Sequence, residues 1–503
     1  MLTILRRYLF LMTITCSLMA CSNAVQQKPN VVIIYADDLG LGDVSCYSEG
    51  TLATPGLDKL AAEGLRFTNG YATSATCTPS RYSLLTGEYP WRNRKAAVLA
   101  GNAPLLIDPA SETVPKLMCQ AGYRTGVVGK WHLGLGDGQV DWNTTIHAGA
   151  NQVGFEYSYI MAATNDRTPT VYVENGDVVN LNADDPIHVN YQKNFEGEPT
   201  GRENPELLKM LPSQGHDMSI SNGISRIGYM KGGKSALWVD ENMADTFLVK
   251  AKQFVKQHKE EPFFLFYALH QPHVPRVPHQ RFAGKSGMGP RGDAILEADW
   301  CVSEFMNYLD ELGLSDNTLV IFSSDNGPVL DDGYHDQSDE LIGDHTPWGN
   351  MRGGKYSLYD AGTHVPFIAR WKGTIAPDVS DALVSQVDIY ASIAELIGED
   401  NTRYDSQNLL AALTGKSTSG RNSHITEGLQ GRLAYREGNW VLIPPYEGGK
   451  KISWGVDMET GFSAKPQLYN LKDDPSQAND LAAQLPERVN LMMEAFLKNK
   501  ERK

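Results

Sequence analysis

The chain has 503 residues, of which 41% are hydrophobic and 21% are charged, and this is enough apolar material for one large domain with a smaller one beside it. Its 45 basic and 60 acidic residues give a formal net charge of −15, which argues against binding of nucleic acid through a broad basic face. An anionic substrate would therefore have to meet a local cluster of cations.

The chain begins with a stretch that is typical of an export signal. Arg6 and Arg7 precede an apolar run that ends in small residues and is too short for a stable membrane span. The letters LMAC, which end at Cys21, resemble the bacterial lipobox, so we interpret residues 1–20 as a signal peptide and Cys21 as a lipidated N-terminus. The alternative is an ordinary cleaved signal that contains a cysteine. We therefore predict an exported protein of the bacterial cell envelope, either periplasmic or an outer-membrane lipoprotein with a lipid anchor.

Four apolar runs in the chain each lead into a polar cluster. They are NVVIIYADD from residue 30, GYRTGVVGKWH from residue 122, PFFLFYALHQPH from residue 262 and NTLVIFSSDNG from residue 317. Continuous apolar runs are typical of strands buried in a parallel sheet, and segments with helical periodicity lie between them. This alternation predicts an α/β domain over residues 28–400, with a large mixed, mostly parallel sheet sandwiched by helices. In such sheets ligands bind beyond the carboxyl ends of the strands.

Acidic residues follow two of these predicted strands. Asp37 and Asp38 end the first run, and Asp325 and Asn326 end the fourth. Each pair alone would be an ordinary turn signal. Together they offer three carboxylates and one amide oxygen, a hard all-oxygen set that suits Ca²⁺ or Mg²⁺ better than zinc. The sequence therefore predicts a cation site at the carboxyl ends of these strands.

The stretch CTPSRYSLLTG, which starts at Cys77, predicts a short helix that opens onto an anion site. Pro79 stands near the first helical position and Gly87 follows the last, so that Cys77 or Thr78 would cap the helix. The free N–H groups and the positive dipole end of a helix N-terminus bind anions readily. A side chain at position 77 would lie under that anion.

Three further segments supply cations and acid–base groups. GKWHLG places Lys130 and His132 two residues apart, on one face of an extended segment. HQPHVP places His270 and His273 after the third apolar run, and Lys355 lies in the Gly-rich stretch RGGKYSLYDAGTHVP. Taken singly, each of these signals is weak, because a surface loop or a packed side chain would explain it as well.

Two regions fall outside the alternation of strands and helices. Residues 137–235 are rich in Gly, Asn, Asp and Pro, and only TPTVYVENGDVVNL resembles a hairpin, with its turn at Asn175 and Gly176. A long insertion beside a site usually shapes substrate choice. Over residues 401–503, short strands and one amphipathic helix predict a smaller C-terminal α+β subdomain with a small antiparallel sheet.

Taken together, these motifs resemble those of the type I sulfatases. The letters CTPSR over residues 77–81 match the C-x-P-S-R signature of that family, and GKWHLG, the strand-terminal Asp pair, DNG and GGKYSLYDAGTHVP fall in the family's order. The resemblance covers about residues 29–480 and implies the alkaline-phosphatase-like sulfatase fold. It also implies that a formylglycine-generating or radical maturation enzyme oxidises Cys77 to formylglycine, whose hydrate is the nucleophile.

The resemblance implies a role for each matching residue. It implies one Ca²⁺ that is held by Asp37, Asp38, Cys77, Asp325 and Asn326. Lys130 and Lys355 would neutralise the sulfate oxygens, and Arg81 would orient the hydrate. His273 would protonate the leaving sugar oxygen, and His132 would take the hydroxyl proton so that the aldehyde forms again.

The overall pattern is similar to bacterial glycan sulfatases related to N-acetylgalactosamine-6-sulfatase. This resemblance implies an exo-acting sulfuric ester hydrolase on galactose or N-acetylgalactosamine that carries 6-O- or 4-O-sulfate in host or environmental glycans. Asp166, Arg167 and His216 in the insertion are the expected sugar contacts, although each could equally be a solvated loop residue. His270 is expected beside the substrate as a partner behind His273.

Two other functions stay open from the sequence. A phosphatase or phosphodiesterase of the alkaline-phosphatase-like superfamily generally uses a Ser or Thr nucleophile over two zinc ions bound partly by His, and no His follows the first or the fourth run. A non-catalytic, lipid-anchored glycan-binding protein would be expected to have lost some of these catalytic groups. None of them is lost in this sequence.

Overall fold

The structure is a computed structural model, and it describes residues 28–48 and 52–502. The predicted signal peptide and the lipidation of Cys21 lie outside the described residues. Across the part of the chain that is described, no helix is both long and apolar enough to cross a membrane.

The secondary structure follows the predicted alternation through most of the chain. The strands, numbered in chain order, are β1 (Asn30–Ala36), β2 (Leu65–Tyr71), β3 (Arg124–Lys130), β4 (Tyr157–Met161), β5 (Tyr172–Glu174), β6 (Asp177–Val178), β7 (His188–Asn190), β8 (Ile220–Ser221), β9 (Ile224–Ser225), β10 (Tyr229–Lys231), β11 (Phe263–Ala268), β12 (Thr318–Ser324), β13 (Phe367–Arg370), β14 (Asp378–Ser385), β15 (Ser423–Glu427), β16 (Leu433–Glu437), β17 (Trp440–Ile443) and β18 (Gln467–Asn470). The α-helices are α1 (Pro55–Ala62), α2 (Cys77–Thr86), α3 (Val114–Gln120), α4 (Met243–Gln257), α5 (Gly289–Glu311), α6 (Ser338–Leu341), α7 (Ile389–Ile397), α8 (Leu410–Leu413) and α9 (Pro486–Glu501).

One large mixed sheet forms the centre of the molecule. It has ten strands in the order β14-β2-β13-β12-β1-β11-β3-β4-β5-β6. The stretch from β12 to β4 is parallel throughout, and β14 also runs parallel to β2. In contrast, β13 runs antiparallel to both of its neighbours, and β5 and β6 form an antiparallel edge. The carboxyl ends of the four predicted strands, which are β1, β3, β11 and β12, therefore meet at one edge of the sheet.

Helices cover both faces of this sheet. Along β1, Val31, Ile33 and Tyr35 belong to one hydrophobic core, which includes residues of α2, α3 and α7. Val32 and Ile34 belong to a second core on the other face, with residues of α1, α4 and α5. Side chains of a strand point alternately to its two faces, so a strand that is covered on both faces is apolar throughout. This packing explains the continuous apolar runs in the sequence.

The helix that opens at Cys77 starts two residues earlier than predicted. Thr76 is its N-cap, with extended backbone, and Cys77 is already helical. Pro79 is tolerated as the third residue because the first N–H groups of a helix have no partner within the helix. The helix ends at Thr86, and Gly87 follows with a left-handed φ of 68°.

The hairpin in the insertion forms at the predicted turn. Glu174 in β5 pairs with Asp177 in β6 across the two residues Asn175 and Gly176. Both turn residues have positive φ, 50° and 95°, as a two-residue turn between antiparallel strands requires. The rest of the insertion adds two small antiparallel pairs, β7 with β10 and β8 with β9.

The C-terminal region is a small antiparallel sheet with one helix packed on it. Its strand order is β15-β16-β17-β18. Tyr435, Leu442 and Leu468 from the sheet share a core with Met492 and Phe496 of α9. This arrangement is the predicted α+β architecture. The position of a domain boundary near residue 401 stays a prediction.

Candidate active site

The register of the central strands brings the two predicted acidic pairs together. Ala36 at the end of β1 lies opposite Ser324 at the end of β12. The backbone N–H of Asp325 donates to the carbonyl of Ala36 over 3.1 Å. Asp37 and Asp325 therefore leave their strands at the same level, because parallel neighbours in register end side by side.

Three carboxylates and one amide then form a buried oxygen cluster. Oxygens of Asp37, Asp38 and Asp325 all lie within 4.8 Å of one another, and each residue is 0% exposed. The amide nitrogen of Asn326 donates to Asp38 over 2.7 Å. Oδ1 of Asp37 and Oδ1 of Asn326 are buried and accept no hydrogen bond from any described residue. Buried acceptors without donors, beside three carboxylates, fit a hard cation such as Ca²⁺.

The acidities of the three carboxyl groups reflect their crowding. Burial raises the pKa of Asp37, and the charge of Asp325 raises it further. Burial also raises the pKa of Asp38, although Lys355 opposes this shift. Burial acts on Asp325 in the same direction, but the positive charges of Arg81 and Lys130 outweigh it and lower the pKa of Asp325. The cluster therefore gathers negative charge that only nearby positive charge makes tolerable.

Two cations, one from α2 and one from β3, form ion pairs with this cluster. Nζ of Lys130 forms an ion pair with Asp37. The guanidinium of Arg81 donates to Oδ2 of Asp325 over 3.1 Å and 2.7 Å, and to the carbonyl oxygen of Lys130 over 3.2 Å. Both cations are 0% exposed, as is expected of charges that are held in place by opposite charges. The structure thus brings Arg81 and Lys130 to the predicted metal site.

The third predicted cation connects the acidic cluster to a residue that the sequence analysis missed. Nζ of Lys355 donates to Asp38 over 2.8 Å and to Asp332 over 2.7 Å. The hydroxyl of Tyr356 donates to the same carboxylate of Asp332 over 3.0 Å. In the sequence, Asp332 lies in DDG, which is an ordinary turn signal, so nothing there distinguishes it from a solvated loop residue.

Cys77 lies beside the oxygen cluster and faces the cavity. It is 2% exposed and is among the residues that line the cavity. Its sulfur lies within 4.8 Å of one ligand atom each of Asp37 and His273. Burial raises the pKa of the Cys77 thiol to about 12, despite the charges of Lys130 and Lys355. The unmodified thiol is therefore neutral near pH 7, and a neutral thiol is a poor nucleophile.

Two predicted histidines are buried near this site, and of these His273 lines the cavity, whereas His132 is not among the described lining residues. Nδ1 of His273 donates to the carbonyl oxygen of Val274 over 2.6 Å, and its Nε2 lies 3.8 Å from Oδ2 of Asp38. Nε2 of His132 donates to the carbonyl oxygen of Leu99 over 2.9 Å. Nδ1 of His132 is buried and has no partner among the residues described. Each ring thus has one nitrogen fixed by the backbone and the other left free to carry a proton.

Two expectations about the histidines need correction. Lys130 and His132 do not lie on one face of an extended segment, because β3 ends at Lys130 and His132 has a φ of 54°. His270 is not among the described residues that line the cavity, and its ring packs against Phe247 with 6.0 Å between the ring centres. Of the two residues in this segment, His273 lines the cavity and His270 is absent from the described lining.

The structure brings the three predicted sugar contacts together at the cavity. Asp166, Arg167 and His216 all line it. The Arg167 guanidinium donates to both oxygens of Asp166, over 2.7 Å and 3.0 Å, and Nε2 of His216 donates to the same carboxylate over 3.0 Å. Burial would raise the pKa of Asp166, but Arg167 and His216 lower it well below its ordinary value. The three side chains therefore form a fixed polar patch.

The cavity also has a wall that the sequence analysis missed. Its volume is about 860 Å³. Additional lining residues come from the segment after α2 and from the C-terminal region, and they include Trp91, Arg94, Glu427, Gln430 and Trp454. Trp454 leaves 44% of its surface exposed and meets the ring of Tyr356 edge-on, with 5.4 Å between the ring centres. These residues are far apart in the sequence, so no local pattern could have grouped them.

The C-terminal sheet reaches the cavity through direct backbone pairing. The N–H of Glu427 donates to the carbonyl oxygen of Thr73 over 2.9 Å, and the N–H of Ala75 donates to the carbonyl oxygen of Glu427 over 2.7 Å. The N–H of Tyr356 donates to the carbonyl oxygen of Ala75 over 2.7 Å. The turn that leads into Cys77 is therefore held by two distant parts of the chain.

Two groups of residues thus differ in place and origin. The residues that we call the floor are Asp37, Asp38, Cys77, Lys130, Asp325 and Lys355, none of which is more than 2% exposed. The residues that we call the rim are Asp166, Arg167, His216, Glu427 and Trp454. The floor gathers charge around a buried position beside Cys77, and the rim surrounds the space through which a substrate would reach it.

Comparisons with known proteins agree with this geometry. Residues 29–399 match the sulfatase family model. The chain is 51% identical to N-acetylgalactosamine-6-O-sulfatase of Bacteroides thetaiotaomicron over 95% of each chain, and 32% identical to human arylsulfatase A over 92% of this chain and 85% of that one. A solved chain from work on the metabolism of multiple glycosaminoglycans by Bacteroides thetaiotaomicron is 52% identical, with a TM-score of 0.93 and coverage of 95% of this chain and 100% of that one. These similarities confirm the expected fold.

Proposed function

Because the chain belongs to the sulfatase family and is a sulfuric ester hydrolase, we propose that it is an exo-acting enzyme that removes 6-O-sulfate from N-acetylgalactosamine or galactose at the end of a glycan. The choice of 6-O- over 4-O-sulfate is supported by the relative that is 51% identical, which is named for N-acetylgalactosamine and the 6-O position. A sulfated glycan is the partner that this activity requires.

A single observation carries the proposal: Cys77 opens a buried helix in the same cavity as Lys355 and His273. The N-terminus of that helix offers free N–H groups to an anion. Lys130 and Lys355 add positive charge next to position 77, and this charge opposes the rise that burial causes in the pKa of Cys77. Fixed donors and cations that face a transferring group are usually the largest contribution to catalysis.

We propose that Cys77 acts after its oxidation to formylglycine by a maturation enzyme. The high pKa of the thiol supports a nucleophile other than the thiolate at this position. The hydrated aldehyde would offer a hydroxyl to the sulfur atom of the ester. Mass spectrometry of the tryptic peptide that contains Cys77 would detect the modified residue directly.

The oxygen cluster is the proposed cation site. Asp37, Asp38, Asp325 and Asn326 would hold Ca²⁺, together with the group at position 77. The unpartnered Oδ1 atoms of Asp37 and Asn326 support this assignment. When bound, the cation would supply positive charge that polarises the attacking oxygen. Arg81 would help to fix the site, because its guanidinium is bonded to Asp325.

The two histidines are proposed to move protons in opposite directions. In the ligand-free protein, burial lowers the pKa of His273, and Lys355 lowers it further. A negatively charged sulfate ester beside the ring would favour the protonated form, which could then donate to the leaving sugar oxygen. His132 has a free Nδ1 that could take the hydroxyl proton as the aldehyde forms again. His270 lies away from the cavity and takes no part in this scheme.

Sugar recognition is proposed for the polar patch of Asp166, Arg167 and His216. The patch lines the cavity and offers both donors and acceptors to sugar hydroxyls. The mutual hydrogen bonds hold these side chains in place before a substrate binds, which lowers the entropy cost of binding.

Export and lipid anchoring are also proposals, and they depend on the sequence of residues 1–21 alone. In a bacterial host, labelled fatty acid should enter the protein, and it should be absent from a Cys21→Ala variant. Label that remains in the variant would contradict the assignment of Cys21.

The decisive experiment for the enzyme is sulfate release from three sugars. Protein produced together with a formylglycine-generating enzyme would be assayed on N-acetylgalactosamine 6-sulfate, galactose 6-sulfate and N-acetylgalactosamine 4-sulfate, with Cys77→Ala as the control. We expect release from a 6-sulfated sugar that is absent in the control. If no sulfate is released from any of the three sugars, although formylglycine is confirmed by mass spectrometry, the proposed substrate is contradicted.

A further inference from the structure

Glu427 is a buried acid in the cavity wall whose carboxyl group has no partner in the part of the chain that the structure describes. It is the last residue of β15, it is 5% exposed, and it lines the cavity. Its side chain forms no hydrogen bond or ion pair with any residue in the described ranges 28–48 and 52–502. Burial alone raises the pKa of Glu427 to about 8. None of the described residues therefore compensates this carboxyl for its loss of water.

Other buried acids in the chain accept hydrogen bonds that replace their lost contacts with water. Glu297 accepts hydrogen bonds from the Gln271 side chain over 3.1 Å and from a backbone N–H over 2.9 Å. Asp299 accepts from the backbone N–H groups of Gly56 and Leu57 over 3.0 Å and 2.7 Å. Burying a polar group without a hydrogen bond destabilises a fold, so such a group in a native protein calls for an explanation. Glu427 faces the cavity, so the missing partner would have to enter from there.

The backbone holds Glu427 at a fixed place relative to the reacting centre. Its N–H and carbonyl groups pair with Thr73 and Ala75, and Ala75 lies two residues before Cys77. The carboxyl can thus shift only by side-chain rotation. A sugar whose sulfate is held at position 77 would bring its ring substituents into the cavity that this carboxyl lines.

Resting on the proposed function, we propose that Glu427 is a specificity-determining residue whose carboxyl accepts a hydrogen bond from a donor on the sulfated sugar. The donor is either the acetamido N–H or a ring hydroxyl. The Glu427 carboxyl has no cation beside it among the residues that the structure describes, so a neutral N–H or O–H group suits it better than an anionic group would.

Two variants at this position test the proposal. Glu427→Leu removes the acceptor, and we expect KM for the sulfated sugar to rise about tenfold, since a ligand donor is left unpaired. Glu427→Gln keeps one acceptor oxygen and should raise KM less. In both variants kcat should stay within about threefold of its original value, because the interaction is made equally in the ground state and the transition state.

Thermal unfolding separates recognition from a structural role. Replacing an unpaired buried carboxyl by an apolar side chain of similar size should leave Tm of Glu427→Leu equal to or above that of the unmodified protein. Glu437→Gln is the matched control, because Glu437 is an exposed acid on the neighbouring strand β16 and lies outside the cavity lining. It should change neither KM nor Tm.

Two sugars identify which donor Glu427 meets. N-acetylgalactosamine 6-sulfate and galactose 6-sulfate differ only in the substituent at carbon 2. A larger KM change on the acetamido sugar would assign the N–H group, whereas equal changes would assign a hydroxyl that both sugars share.

The proposal for Glu427 can fail separately from the proposed function. An unmodified enzyme that cleaves the sugars, together with a Glu427→Leu variant of unchanged KM, would overturn only the role of Glu427. A Glu427→Leu variant with a lower Tm, a lower kcat and a higher KM would show a structural role, and this result would also overturn the proposed role in recognition. An unmodified, formylglycine-containing enzyme that cleaves neither sugar would overturn the proposed substrate, and the role of Glu427 would fall with it.

Discussion

In the floor every cation is bonded to a carboxylate, whereas in the rim only Asp166, Arg167 and His216 hold one another and the other two side chains are held less completely. Lys130 is paired with Asp37, and Lys355 is paired with Asp38 and Asp332. At the rim, Trp454 leaves 44% of its surface open, and Glu427 has no partner among the described residues. Most of the floor follows or ends strands of the central sheet, as Asp37, Lys130 and Asp325 do, but the rim comes from an insertion and from the C-terminal region.

This difference teaches where chemistry and selectivity can be changed independently. A substitution in the floor breaks several charge contacts at once and should reduce kcat, because the lost groups face the reacting atoms. A substitution in the rim should change KM or sugar preference and leave the cation site intact. Substitutions in the two groups of residues should therefore have different kinetic effects, and the largest are expected in the floor.

The largest loss is expected at the nucleophile. Cys77→Ala should lower kcat/KM by at least about 1,000-fold, since no other group replaces a covalent nucleophile. Steady-state kinetics on the sulfated sugar would measure it. Cys119→Ala is the matched control, because Cys119 is an exposed cysteine away from the cavity, and it should keep full activity. Comparable activity in the two variants would contradict the assignment of Cys77.

A large loss is also expected at Lys355. Lys355→Met removes the partner of two buried carboxylates and should lower kcat by about 100- to 1,000-fold. It should also destabilise the fold by about 3–5 kcal/mol, because uncompensated buried charge remains. Kinetics and urea unfolding would measure the two effects. Lys372→Met serves as a control, since its ion pair with Asp316 is 3.9 Å long and mostly exposed. An unaffected kcat in Lys355→Met would place this lysine outside the chemistry.

Removal of the cation should affect the floor and spare the rim. Chelation is expected to lower Tm by several degrees, because cation binding stabilises only the folded chain, by about 2.7 kcal/mol at a hundredfold excess over Kd. Calcium should restore Tm in the original protein, and in Asn326→Leu it should do so only weakly, because one ligand oxygen is lost. Differential scanning fluorimetry with and without calcium would measure this. A Tm that changes neither with chelator nor with added calcium would contradict the cation site.

A smaller effect is expected in the polar patch of the rim. Arg167→Met should raise KM for the sulfated sugar by about tenfold, since one charged hydrogen-bond donor to the sugar is lost. Calcium content, measured by elemental analysis, should not change. Arg202→Met is the matched control from the same insertion, because its pair with Asp217 is largely exposed. An unaltered substrate profile would remove Arg167 from recognition.

The smallest effect is expected at Trp454. Trp454→Ala should raise KM about threefold for an oligosaccharide and less for a monosaccharide, because a half-exposed ring contributes stacking at the edge of the cavity. Trp454→Phe should recover most of the loss. Tyr404→Ala, an exposed aromatic residue outside the cavity lining, is the control. Equal KM values for Trp454→Ala and the original protein on both substrates would exclude such stacking.

The same division explains what could be predicted from the sequence. Asp37, Asp325 and Lys130 directly follow or end apolar strands, so an elementary rule about parallel sheets places them together. The exact backbone path beyond a strand is less predictable, as the left-handed φ of His132 shows. Glu427 was missed because it reaches the cavity only through its pairing with Thr73 and Ala75, a contact of high sequence separation that leaves no local pattern.

That pairing also has a consequence for the order of events during synthesis. Strand β15, which contains Glu427 and pairs with Ala75, is translated about 350 residues after Ala75. Its synthesis follows roughly 20–70 s later at ~5–20 residues per second. Until then, the nascent segment around Cys77 lacks its final cover. In the folded protein α2 is buried along its whole length, so another enzyme could no longer bind the backbone around Cys77. The maturation enzyme that we propose for Cys77 would therefore have to act before this part of the chain folds.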